Sequence, residues 1–139
     1  MSPDLREHFT RKATAVGATV TQVNDAQSAR AAVGQFAGDH SAVGLFAVAE
    51  TGSVAVALPR EERGRCLLAE RLWLLVPAAD LVPTLDVALE RIDALVRSGR
   101  PYVTLMTGPS RTADIERALT VGVHGPRELH VILVDGPLS

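Results

Sequence analysis

Apolar residues recur at helical spacing at Leu5, Phe9, Ala13 and Val16, which predicts an opening helix with Ser2 as its cap, Pro3 in its first turn and Gly17 as its stop. Ala18 to Val23 reads as a short strand. Asn24 or Asp25 then opens a second helix, with Ala29, Ala32, Val33 and Phe36 as one apolar stripe, broken at Gly38, Asp39 and His40. Two apolar runs follow, Ala42 to Ala49 and Ser53 to Leu58, and the Glu50-Thr51-Gly52 bend between them predicts adjacent strands. Pro59 to Arg71 is the most polar stretch and reads as a loop. Leu72 to Val76 is a continuous apolar strand stopped by Pro77. A long helix is predicted from about Asp80 to Arg97, with Leu81, Leu85, Ala88, Leu89, Ile92, Leu95 and Val96 on one face. The pattern ends with a strand (Tyr102 to Met106), a loop, a helix (about Thr112 to Leu119), a loop and a strand (Leu129 to Val134). Alternating strands and helices predict an α/β fold of three layers, with a mainly parallel sheet between helices and a hairpin at Glu50 that makes it mixed.

Composition narrows the classes. The chain has 139 residues, 47% of them apolar and 22% charged, which suits one globular domain (1–139), with a helix-strand-helix portion (1–40) leading into a core (42–135). Lys12 is the only lysine, the arginines are scattered and the formal net charge is −2, so the basic stripe that a nucleic-acid partner needs is missing. The polar start argues against a signal peptide, and no apolar run approaches the roughly 18 residues of a membrane span; the cytoplasm is the expected location. The one cysteine, Cys66, permits no internal disulfide and falls short of the about four ligands that an iron–sulfur cluster takes. No cofactor is expected on this chain.

Three stretches carry candidate chemistry. Thr107-Gly108-Pro109-Ser110-Arg111-Thr112-Ala113-Asp114-Ile115-Glu116 follows a strand and is predicted to open a helix. Gly108, Ser110, Arg111 and Thr112 could hold a carboxylate or phosphate there, while helix capping by Ser110 or Thr112, with Asp114 balancing the dipole, is the competing role. In Gly122-Val123-His124-Gly125-Pro126 the two glycines let the backbone turn sharply, so His124 is a candidate base or hydrogen-bond donor and, equally, a turn residue. No metal is expected, for lack of a second ligand at suitable spacing. In Ala49-Glu50-Thr51-Gly52-Ser53, Glu50 lies between two apolar strands. A carboxylate partly buried at such a bend is a candidate base or nucleophile; an ordinary turn glutamate is the alternative. Among the remaining histidines, His8 (helix), His40 (breaker loop) and His130 (strand) are expected to face solvent, and Cys66 to have no redox role.

Glu50-Thr51-Gly52-Ser53, the Arg65 to Leu85 stretch with its Leu-Val-Pro-Thr-Leu ending, the Gly108 to Glu116 run and Gly122 to Pro126, in that order, resemble the lactate utilisation protein C family, the LUD domain. The resemblance covers Ala42 to Asp135 closely and Phe9 to Phe36 loosely. It implies a fold like the NagB/RpiA/CoA-transferase group, in a compact version. It also implies a role in oxidising L-lactate to pyruvate beside two iron–sulfur subunits, which would carry the electrons as partners. The connection Gly38 to Val43 is short beside fuller members, a difference that implies either the loss of part of a pocket or an edge for a partner or a second copy to cover. Two further readings stand beside the accessory-subunit one: a standalone CoA-transferase-like enzyme with Glu50 as nucleophile, and a module that binds a small carboxylate or phosphate through Glu50, Arg111 and His124 with Thr51, Gly52, Gly108, Gly122 and Gly125.

Overall fold

The structure is a computed structural model that describes residues 4–59, 64–66, 68–99, 103–109, 112–114 and 126–138. Among these the mainly parallel, mixed α/β architecture is present, with its strands divided between two sheets. Helix α1 (Asp4–Ala15) leads into β1 (Thr19–Val23), and α2 (Ala26–Ala32) into β2 (Asp39–Val43). Strands β3 (Phe46–Val48), β4 (Ser53–Ala57), β5 (Arg71–Pro77) and β6 (Leu81–Val82) precede α3 (Leu85–Arg97). Strands β7 (Val103–Met106), β8 (Thr112–Asp114) and β9 (Glu128–Val134) complete the order.

One sheet runs β1-β9-β5-β2 and is parallel throughout. The other runs β6-β3-β4-β7-β8, with β3 parallel to β6 and the remaining neighbours antiparallel. The largest core lies between the sheets: Leu72, Leu74, Val131 and Leu133 from the first, Val54, Val56 and Met106 from the second, and Phe9 and Ala13 from α1. Helix α3 covers the second sheet with Ala88 and Ile92 against Phe46, Val48 and Val103. Helix α2 covers part of the first, with Ala29 beside Leu75, Ile132 and Val134. Asp25 caps α2 by accepting the Ser28 N–H at 2.7 Å, which settles the choice between Asn24 and Asp25.

The apolar run Ala42 to Ala49 is two strands, one in each sheet. Its crossover is two residues long: Gly44 N–H donates to Leu75 O in the first sheet (2.8 Å), and Leu45 N–H to Ala55 O in the second (2.7 Å). The Gly38 to Val43 stretch, expected as a bare connection, therefore carries β2, and His40 sits on that strand. The predicted helix from Asp80 also starts later. Ala78–Asp80 is a 3₁₀ turn, Leu81 is a buried strand residue of the inter-sheet core, and Thr84 caps α3 by accepting the Val87 N–H. Pro83 explains the shift, because a proline holds the residue before it in extended backbone. Leu89 and Val96 lie at the exposed margin of α3, and Phe36, beyond the end of α2, is 76% exposed. Within the expected 59–71 loop, Gly64 to Cys66 is helical and Cys66 is buried in the core.

His130 does not face open solvent as expected. Its ring stacks on Trp73 (centroids 4.1 Å apart, 13° between planes), and Nε2 lies 2.9 Å from Glu128 Oε1. At the same end of the parallel sheet, Asp39 has a side chain only 3% exposed and accepts the Arg71 Nε–H at 2.6 Å and the Phe36 N–H at 2.9 Å. The Arg71 bond, opposed by burial and aided by Phe36, holds the Asp39 carboxyl below the ordinary aspartate range. A folded-state value below the unfolded one stabilises the fold above the unfolded value and is lost as pH falls through the folded one. The expected result is a urea midpoint that drops as pH is lowered below about 4, with a shallower drop in Asp39→Asn. Equal slopes in the two proteins would contradict it.

Candidate functional site

Strands β3, β6 and β7 point the same way, so their carboxyl ends meet at one edge of the second sheet. That edge gathers the Glu50 bend, the Pro83-Thr84 link and the loop from Thr107. It is where ligands collect in open α/β sheets.

The bend is closed by Gly52 N–H donating to Val48 O at 2.9 Å, and it is tied sideways to β6 and its continuation by Ala49 N–H to Val82 O (2.9 Å) and Glu50 N–H to Pro83 O (3.1 Å). Glu50 itself is exposed, and its Oε1 accepts the Leu85 N–H at 2.8 Å. The partial burial on which its reading as a base depends is absent, and its visible task is to cap α3. A carboxylate at a helix start contributes about 0.3–1 kcal/mol. Glu50→Ala is expected to lower unfolding stability by about that much, read from the urea midpoint; a loss several times larger would mean that Glu50 does more than cap.

Two hydroxyls that the sequence does not single out join the motif stretches. Ser53, 2% exposed at the start of β4, lies between Thr51 (Oγ1 to Oγ, 2.7 Å) and Thr107 (Oγ to Oγ1, 2.6 Å). Both stand inside stretches that the sequence marks out, Ser53 at the end of the Glu50 bend and Thr107 at the head of the Gly108 run, but nothing in the sequence gives either a role. Both loops are pressed against the carboxyl end of α1. A Cβ on Gly52 would stand 2.4 Å from Ala13 N, and one on Gly108 would stand 2.2 Å from Val16 O. Positive φ values of 71° at Gly52 and 73° at Gly108 suit glycine for the same reason.

Thus Glu50, Thr51, Gly52 and Gly108 do come together. Thr112 and Asp114 lie on β8, which pairs antiparallel with β7, Thr112 opposite Met106 and Asp114 opposite Thr104. At Thr112 to Asp114 this strand replaces the predicted helix, whose remaining residues (115–119) lie outside the described ones, and the anion-binding argument loses the helix start it leaned on at Thr112. The pattern misled because Thr112 to Asp114 carries a polar, cap-like sequence, while pairing with the edge of β7 decides its conformation. Ser110, Arg111, Gly122, His124 and Gly125 lie outside the described residues. An open groove of about 680 Å³ runs elsewhere, lined by Arg6, Glu7, Thr10, Arg11, Thr14, Ala15 and Gln22, and takes in none of the motif residues.

The model of the LUD domain matches residues 43–134, the span that holds both sheet-edge loops and β9. The chain belongs to the LUD domain family. This LUD domain is 36% identical over 92 residues to the Lactate utilization protein C of Macrococcus caseolyticus, covering 63% of this chain and 40% of that protein. It is 38% identical over 91 residues to the protein of the same name from Deinococcus radiodurans, covering 63% and 42%. The chain thus spans about two fifths of the length of these curated relatives. A crystal structure of a DUF162 family protein from Deinococcus radiodurans superimposes with a TM-score of 0.68 at 21% identity, covering 96% of this chain and 99% of that one, which shows the shared fold.

Proposed function

We propose that this LUD domain serves the oxidation of L-lactate to pyruvate in the cytoplasm, as a non-redox accessory subunit beside iron–sulfur partners. The observation that carries this reading is the match, across the motif-bearing two thirds of the chain, to proteins named Lactate utilization protein C. The single cysteine supports the division of labour, since one thiolate is too few for the about four ligands of a cluster. Among the described residues, no helix is long and apolar enough to cross a membrane. The sheet edge at Glu50, Thr51, Gly52 and Gly108 is the proposed contact for a small carboxylate or phosphate, with Ser110, Arg111, Thr112, Asp114, Gly122, His124 and Gly125 as its remaining sequence-assigned groups.

Deletion in the native cell tests the reading. Loss of growth on L-lactate, restored by the full chain, is the expected result, together with co-purification of iron-containing proteins on a tagged copy. Unimpaired growth and a tagged protein that emerges alone would refute it.

A further inference from the structure

We infer that the Thr51–Ser53–Thr107 hydroxyl chain is a reversible contact for a 2-hydroxy acid, donating at one threonine to the carboxylate and accepting at the other from the substrate hydroxyl. The inference rests on the proposed role in lactate oxidation and concerns the same sheet edge.

Proton counting carries it. Each hydroxyl owns one proton, and the contacts of 2.7 and 2.6 Å take one each. The third proton must leave the chain. Were Ser53 to accept from both threonines, its own proton would be stranded in a side chain only 2% exposed. Ser53 therefore donates to one neighbour and accepts from the other. That gives the chain a direction: one threonine is left with a proton to give outward, the other with a lone pair to receive. Rotating the three O–H bonds reverses the direction without moving a heavy atom.

The ends are available and held in place. Thr51 and Thr107 are only part-buried, whereas Ser53 is fixed in β4 and flanked by Gly52, which rests on α1 as Gly108 does. A matching ligand therefore offers one acceptor and one donor close together. A 2-hydroxy acid does so, with a carboxylate and a hydroxyl on adjacent carbons. A 2-keto acid offers acceptors alone, so one threonine oxygen would face another oxygen with no proton between them. A site that hydrogen-bonds a substrate hydroxyl disfavours the analogue that lacks it.

The test is titration of the full chain with L-lactate and with pyruvate, by calorimetry and by amide shifts in NMR. L-Lactate is expected to bind about tenfold more tightly than pyruvate, the worth of about one hydrogen bond, and to shift the amides of Thr51 to Ser53 and Thr107 to Gly108. Ser53→Ala cuts the chain at its centre and should bring the two affinities within about twofold of each other. Thr107→Ser keeps the hydroxyl and should keep the preference; Thr51→Val, on a part-buried residue, serves if Ser53→Ala fails to fold. Equal binding of the two acids, binding of neither, or a preference that survives loss of the hydroxyls would overturn the inference. Such a result beside lost growth of the deletion strain leaves the lactate role standing. Selective binding beside unimpaired growth supports the contact and overturns the role.

Discussion

Gly108→Ala is expected to destabilise the fold by about 2–5 kcal/mol, from overpacking together with a left-handed backbone that disfavours a side chain. The added Cβ would meet a backbone atom, Val16 O, which cannot rotate away as a side-chain tip would. Gly52→Ala should behave alike, since its Cβ would press on the α1 backbone at Lys12 and Ala13. Against a typical stability of about 5–15 kcal/mol, either change removes a large share. Denaturant titration at neutral pH is the measurement, and a variant within about 0.5 kcal/mol of the parent would show that α1 does not seat on these loops as described.

Phe9→Ala is expected to cost about 3–5 kcal/mol, the range for emptying a buried aromatic site. Phe9 is fully buried and, with Ala13, brings α1 into the core between the sheets. The effect should also be local, because that helix is the wall behind Gly52 and Gly108. Amide exchange at Thr51, Gly52 and Gly108 should speed up by more than exchange on the outer face of the parallel sheet. Uniform acceleration would mean that α1 supports the whole molecule and not these loops in particular. Phe9→Leu, which refills most of the volume, should recover most of the loss.

Much of this fold was legible in the pattern of apolar positions, and the departures share a cause. Helices α1 and α2, strands β1, β5 and β9 and the core face of α3 follow from local periodicity, which one face of burial imposes. The Ala42 to Ala49 run hid a change of sheet because an unbroken apolar run carries no mark of where a partner changes, and Val43, apolar yet exposed at the edge of the first sheet, reads like the buried β3 residues that follow. Leu81 fitted the apolar face of α3 by spacing, but pairing with β3 claimed it. Thr112 to Asp114 was likewise claimed by β7. These are long-range pairings, which short-range pattern does not encode.

The candidate site divides in the same way. Glu50, Thr51, Gly52 and Gly108 were visible as bends between apolar runs, because glycine and polar residues interrupt the pattern there. Ser53 and Thr107 stood within the same stretches without a role, since theirs lies in a contact between residues far apart in the chain. Family resemblance reached further than periodicity in naming the LUD domain, because a motif marks a family even where local conformation is misread.

The two-residue passage at Gly44 and Leu45 has a mechanical consequence. Successive amides are anchored in opposite sheets, so sliding one sheet over the other by a single register would break one of the two bonds. Shear, the cheap motion of stacked layers, is thereby blocked at the joint, and the threonines at the far edge of one sheet keep their positions relative to the strands of the other.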